Sequence, residues 1–179
     1  MVRTFVALEL SQEIKDNLAA AQHTIRSCNA RLTFVDPENI HITIKFLGDV
    51  EQEKLKKVMD AIRSVTFSPF PIQALTIAVN NPKKPHTVWC EIDDGGMGVR
   101  LFSLIENALA QLGFDRESRR FTPHATLARV KSSDPSLFSA ISSMREKSWG
   151  ICTISSVKLK KSTLLPRGPV YEDLLEVKW

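Results

Sequence analysis

His41-Ile42-Thr43-Ile44-Lys45-Phe46-Leu47-Gly48 and Pro123-His124-Ala125-Thr126-Leu127-Ala128-Arg129-Val130 decide how this chain is read. Each run carries a histidine, any residue, a threonine and then an apolar residue. Each alternates and is bounded by turn-type residues, the pattern of a β-strand. Residues i and i+2 of a strand share a face, so each copy presents one imidazole and one hydroxyl side by side. Ile42 and Ile44, or Ala125 and Leu127, then point the other way, into a core. Two such strands facing one another give two imidazoles and two hydroxyls around one small space. That is an acid–base site with built-in donors for an anionic substrate.

The chain has only four histidines, His23, His41, His86 and His124, and threonine fills 11 of its 179 positions. Chance would place threonine two residues after two of four histidines only about 2% of the time, so the pair is read as signal. His23 lies in a helical stretch and faces solvent. His86 follows Pro85 in a turn and is a surface residue.

Working outward, Arg3–Leu10 alternates as a strand, and Ser11 caps a helix from Gln12 to about Cys28. Arg31–Val35 is a short strand. Asp36-Pro37-Glu38-Asn39 is the turn that delivers the first histidine strand, Ile40–Leu47, which Gly48-Asp49 ends. Glu51–Val65 is an amphipathic helix. Phe70–Val79 and Thr87–Ile92 are strands, and Val99–Leu112 is a helix ended by Gly113. Phe114–Phe121 is polar and basic, a loop or weak strand. After the second histidine strand, His124–Val130, come a helix from about Pro135 to Lys147 with Asp134 as N-cap, one strand from Trp149 to about Leu165, a turn at Pro166-Arg167-Gly168-Pro169, and a closing strand Val170–Val177.

Strand, helix, histidine strand and helix thus occur in that order in each half, with the two histidines 83 residues apart. The expected fold is α+β: two similar lobes related by a pseudo-twofold, each a mostly antiparallel sheet with helices on its outer face, and a groove between them. With no long linker, residues 1–179 read as a single bilobal domain.

Composition is that of an ordinary soluble globular protein, 43% hydrophobic and 25% charged. No apolar run is long enough to span a bilayer, and the N-terminus lacks a signal-peptide pattern. Cys28, Cys90 and Cys152 are scattered, which argues against a disulfide framework or a structural zinc site and suits the cytoplasm. The net charge of +4 permits a polyanionic partner without demanding one. Basic residues gather at Lys83-Lys84, Arg116–Arg120, Arg129 with Lys131, and Lys158–Lys161; those beside the second motif and near the C-terminus draw most interest. Gly95-Gly96-Met97-Gly98 precedes a helix but lacks a phosphate-loop spacing and reads as a connection.

Displacement at phosphorus suits such a pair. One imidazole activates water, the other, protonated, delivers a proton to the departing oxygen, and threonine hydroxyls donate to the non-bridging oxygens. Arg129 is a planar, charge-assisted donor next to the second motif and a candidate phosphate ligand. By strict alternation it lies on the core side with Leu127, so it needs a bend to reach the site. Phe46 is a candidate for stacking on a base.

These two motifs, together with the Arg-x-Phe-Val-Ala-Leu start at Arg3 and Gly168-Pro169-Val170-Tyr171 near the end, resemble the two-histidine (2H) phosphoesterases. Within that superfamily the chain looks like the RNA 2′,3′-cyclic phosphodiesterases, first described as 2′-5′ RNA ligases. The resemblance covers essentially the whole chain. It implies metal-independent hydrolysis of a terminal 2′,3′-cyclic phosphate to a 2′-phosphate, with no cofactor. It makes RNA with such an end, tRNA fragments included, the partner of a monomeric, membrane-free enzyme. It implies His41 as proton donor to the 3′-oxygen, His124 as the base acting on water, and Thr43, Thr126 and Arg129 as phosphate ligands. Spacing alone leaves the acid and base unassigned. The rival readings are a non-catalytic module that binds RNA ends, a metallohydrolase, and the reverse reaction, 2′-5′ ligation.

Overall fold

The computed structural model describes residues 1–166 and 168–179. The chain runs β1 (Val2–Glu9), α1 (Gln12–Ile25), β2 (Arg31–Phe34), a 3-10 turn (Pro37–Asn39), β3 (His41–Val50), α2 (Gln52–Arg63), β4 (Phe70–Val79) and β5 (Thr87–Asp93). It continues as α3 (Met97–Ala110), β6 (His124–Ser132), α4 (Pro135–Ser142), β7 (Ile151–Ile154), β8 (Ser156–Leu165) and β9 (Gly168–Lys178).

Local chemistry sets the helix starts. Ser11 Oγ accepts the Ile14 amide at 3.3 Å, and Asp134 accepts the Ser136 amide at 2.9 Å ahead of Pro135, which is pre-set for a first helical position. The Asp94 carboxylate accepts the amides of Gly96 and Gly98, at 2.8 and 3.0 Å. A protein carboxylate therefore fills the place a phosphate would take, and the glycine-rich segment is a connection. A Cβ at Gly98 would come within 2.1 Å of that carboxylate, which is why glycine stands there.

The strands are antiparallel and follow the order β7-β4-β5-β6-β3-β1-β8-β9, with β2 on β6. The two lobes meet where β3 and β6 pair, at Ile42 opposite Ala125. Their apolar faces share one core, in which Leu8, Ile42, Ile44, Leu101, Leu127 and Leu159 are buried. The sequence repeat does not divide the lobes, because the chain interleaves them. α1 packs on β6 and α4, in the lobe of the second motif, while α3 packs on β3 and α2. The expected strand Trp149–Leu165 breaks at Ser155. β7 pairs with β4 near one end of the sheet, and β8 pairs with β1 in the other lobe, so one straight strand could not reach both.

Other boundaries shift for local reasons. β3 continues through Gly48 to Val50, because Leu47 is an extra residue opposite Thr4 and Phe5 and Gly48 adopts a φ of 70°. α4 stops at Ser142 rather than Lys147, where Ser143 Oγ bonds back to the Ala140 carbonyl. Phe114–Phe121 is a loop. The expected turn at Pro166–Pro169 includes Arg167, which lies outside the described residues. His23 and His86 are exposed, as their contexts suggest. Among the described residues no helix is long and apolar enough to cross a membrane.

Lys45 and Glu106 form an ion pair in this interior, their side chains 8% and 4% exposed. Lys45 also donates to the Asp115 carbonyl at 2.7 Å, and Glu106 accepts the Glu117 amide at 3.0 Å. The pair ties β3 to α3 and to the loop leading to the second motif. Removing one partner strands a buried charge, at about 3–5 kcal/mol. Glu106→Ala is therefore expected to lower the unfolding free energy by that amount in urea titrations, and Lys45→Met with Glu106→Leu to recover most of it.

Candidate active site

Continuing the register of Ile42 and Ala125 by one residue each way sets His41 across from Thr126 and Thr43 across from His124. Ile42 and Ala125 are buried, so these four half-buried side chains share the opposite face. The four motif residues of the two runs are thus brought together at the seam. His41, Thr43, Thr126 and Arg129 line one cavity of about 820 Å³ with Phe46 and Tyr171.

Two matching β-bulges extend this face. On β3, Lys45 faces Val6 while Thr43 faces Ala7, leaving Ile44 as an extra residue. On β6, Ala128 faces Val88 while Thr126 faces Trp89, leaving Leu127 as the extra one. After each bulge the alternation flips. Ile44 and Lys45 are both buried, as are Leu127 and Ala128, and the next residues, Phe46 and Arg129, return to the groove. This is the bend that strict alternation denied Arg129. Its Nη1 donates to Thr87 Oγ1 at 3.0 Å, which holds the guanidinium against β5. Phe46 is 69% exposed at the groove rim, an open apolar face.

Each imidazole is oriented the same way. His41 Nδ1 lies 2.7 Å from the Asn39 carbonyl, and His124 Nδ1 lies 2.7 Å from the Thr122 carbonyl. A carbonyl only accepts, so Nδ1 carries the proton and Nε2 carries the lone pair. Thr43 Oγ1 stands 2.9 Å from His41 Nε2, whereas His124 Nε2 has no protein partner among the described residues. His41 stacks on Phe5 at 5.0 Å and meets Tyr171 edge-on at 5.5 Å. His124 lies against Trp89 at 4.4 Å. Sequence reading missed these supports, since a backbone carbonyl two residues back can come from any residue type. Tyr171 was visible only as part of a terminal segment.

Burial lowers both imidazole pKa values below the ordinary 6.5. For His41 the Asn39 carbonyl and nearby Glu9 act in the opposite direction while Lys160 and Lys15 add to the lowering, and for His124 the Thr122 carbonyl opposes it while Arg129 adds to it. The C-terminal lysines do not contribute a free basic patch. Lys160 bridges Glu9 and Asp173 at 2.6 Å each, Lys158 pairs with Asp173 at 2.5 Å, and Lys161 with Glu172 at 2.6 Å. Arg116–Arg120 sit on the exposed loop, where Arg119 pairs with Glu117. Among the described residues no three His, Cys, Asp or Glu side chains converge as a metal-binding set.

The family model described as LigT like Phosphoesterase matches residues 8–90 and again 99–171. The RNA 2′,3′-cyclic phosphodiesterase of Archaeoglobus fulgidus is 33% identical over 174 residues, covering 97% of this chain and 98% of the relative. Among solved structures, TT0787 of Thermus thermophilus superposes with a TM-score of 0.82 at 24% identity, covering 98% of this chain and 97% of its own. E. coli LigT complexed with 3′-AMP gives 0.80 at 20% identity, covering 99% and 97%. These two likenesses show the fold.

The site makes a prediction independent of any reaction. Nitrogen-detected NMR is expected to find the proton of both neutral rings on Nδ1, with both rings titrating below pH 6.5. A group whose folded pKa is depressed binds fewer protons folded than unfolded between the two values. Stability should therefore decline as pH falls from 6.5 through the folded-state values. A ring titrating above 6.5 would overturn this account of its burial.

Proposed function

The chain belongs to the LigT-like phosphoesterase family, and we propose that it hydrolyses RNA 2′,3′-cyclic phosphate ends to 2′-phosphates by acid–base catalysis with two histidines and no metal. The observation that carries this reading is the convergence of two identically oriented imidazoles and two threonine hydroxyls on one face of the β3–β6 seam, where His41, Thr43 and Thr126 line the groove.

His124 is the base. Its Nε2 lone pair has no protein partner among the described residues, so it is open to a water. As that water attacks phosphorus, its proton passes to His124, and the bond from phosphorus to the 3′-oxygen breaks. His41, protonated in the complex, gives its Nε2 proton to the 3′-oxygen, which leaves as a hydroxyl. The bound phosphate anion favours that protonated form, against the burial that lowers the pKa in the free protein. The product holds its phosphate on the 2′-oxygen. The two imidazoles end with exchanged protonation and reset through solvent.

Thr43 and Thr126 donate to the non-bridging oxygens, where charge builds, and Arg129 supplies the fixed positive charge. Phe46 offers its exposed ring to a base. RNA fragments, those of tRNA included, would carry the required ends. The three free cysteines fit a reducing compartment such as the cytoplasm, and residues 1–179 act as one monomeric bilobal domain.

The reading is tested with an oligoribonucleotide ending in a 2′,3′-cyclic phosphate, identifying the product end. His41→Ala and His124→Ala are each expected to lower turnover by roughly 10² or more, and the double mutant little further, because the two act as a unit. Thr43→Val and Thr126→Val should impair turnover with the melting temperature preserved. Burial holds both free-enzyme imidazoles below 6.5, so the kcat/KM profile should be bell-shaped with its maximum on the acid side of pH 6.5. Excess EDTA should leave the rate unchanged. Loss of activity in EDTA with recovery on adding a divalent ion would sink the mechanism.

A further inference from the structure

The groove does not end at the phosphate ligands. Arg26, at the C-terminal cap of α1, and Phe34, near the end of β2, line the same cavity as His41, Thr43 and Arg129. The Arg26 guanidinium is held over the Phe34 ring, 4.0 Å from its centroid. Among the described residues Arg26 makes no ion pair and no side-chain hydrogen bond, so its N–H donors are unspent. It is exposed, and a cation parked on an aromatic face keeps an ordered position without using those donors.

Arg26 is also rigidly placed. One turn before it, Gln22 is buried and donates through Nε2 to the carbonyls of Val35, at 2.7 Å, and Leu127, at 3.0 Å. Leu127 follows Thr126 directly, so the end of α1 is bonded to the strand that carries the second motif. Phe34 stands opposite Ala128 and Thr33 opposite Arg129. Ala128 is four residues beyond His124, about 13 Å along an extended strand. β2 and β5 flank β6 on opposite sides, and Arg129 is held toward β5 by Thr87, so Arg26 on the β2 side is a second, separate guanidinium of the groove, placed for the next phosphate of a chain.

Charge makes that position matter. Among the described residues the charged groups lining the cavity are Arg26 and Arg129, with Asp36 and Glu38. Arg26 sets a cation against those carboxylates and so favours a polyanion extending past the terminal nucleotide. We propose that Arg26, presented by Phe34, binds the phosphodiester immediately upstream of the terminal cyclic phosphate, so that the site selects oligonucleotide ends over mononucleotides. This rests on the reading of the groove as a cyclic-phosphodiesterase site.

The test compares wild type with Arg26→Gln and Arg26→Lys on two substrates, adenosine 2′,3′-cyclic phosphate and the dinucleotide ApA ending in a 2′,3′-cyclic phosphate. In parallel, equilibrium binding is measured with their products, 2′-AMP and ApA 2′-phosphate, across salt concentration. The preference for the dinucleotide, in kcat/KM and in affinity, is expected to fall about tenfold in Arg26→Gln, the scale of one exposed charge-assisted contact. The slope of log affinity against log salt for ApA 2′-phosphate should shrink by about 0.7, one single-strand phosphate. Arg26→Lys keeps the charge and should keep the slope, while losing part of the preference. A preference within twofold of wild type and an unchanged slope in Arg26→Gln would overturn the assignment. If wild type cleaves neither substrate, the catalytic reading fails, and the binding ratio and slope still decide the role of Arg26.

Discussion

The pairing of Ile42 with Ala125 is the constraint on which the site depends. It is the point where β3 and β6, and with them the two lobes, are joined. Both residues are buried, so the seam is held by the core rather than by the polar groups above it. A slip of one residue would carry every side chain of one strand to the opposite face, exchanging His and Thr for Ile or Leu. The hydrophobic alternation that secures the register therefore also secures the acid–base geometry. Stability and site placement are the same fact at this position.

The twin bulges turn a two-residue motif into a longer working surface. An unbroken strand would offer His and Thr and then, with every further odd step, continue on that face with residues the bulge instead buries. Inserting Ile44 and Leu127 brings Phe46 and Arg129 onto the groove side. The same insertion turns Lys45 inward on β3 and Ala128 inward on β6. Alanine needs no partner. Lysine does, and Glu106 supplies it, with the Asp115 carbonyl. A device for aiming one side chain outward thus requires an ion pair on the other side of the sheet, which in turn anchors the loop before His124.

The motif strands and the α+β character were legible because they rest on alternation and on side-chain chemistry that sequence records directly. β4 begins at Phe70 and ends at Val79 as its alternation predicts. Arg129 was legible as a residue type but misplaced by strict period 2, because a bulge has no residue signature beyond the shared burial of its two neighbours. The break at Ser155 was illegible for another reason. Which edge each half of that stretch joins is decided by long-range pairing, with β4 for one and β1 for the other. The carbonyls of Asn39 and Thr122 leave no trace, since any residue supplies one. The lysines at 158–161 looked like a basic patch until β9 and β1 supplied Asp173, Glu172 and Glu9 opposite them.

Near-symmetry in the strands does not make the two halves of the groove equivalent. His41 is enclosed by Phe5 and Tyr171, and Thr43 sits against its Nε2, while His124 has Trp89 on one side and an Nε2 without a protein partner among the described residues. Burial lowers the pKa of both rings; near His41 stand Glu9, which opposes that, and Lys160 and Lys15, which add to it, whereas the charge acting on His124 is Arg129. At the equivalent step past each bulge, one strand presents an aromatic ring and the other a guanidinium. A symmetric pair of imidazoles would have no preference for which takes a proton and which gives one. The differences lie outside the repeated motif, in residues that each lobe recruits from elsewhere in the chain. They leave His41 enclosed and His124 more open, so the two rings are not interchangeable.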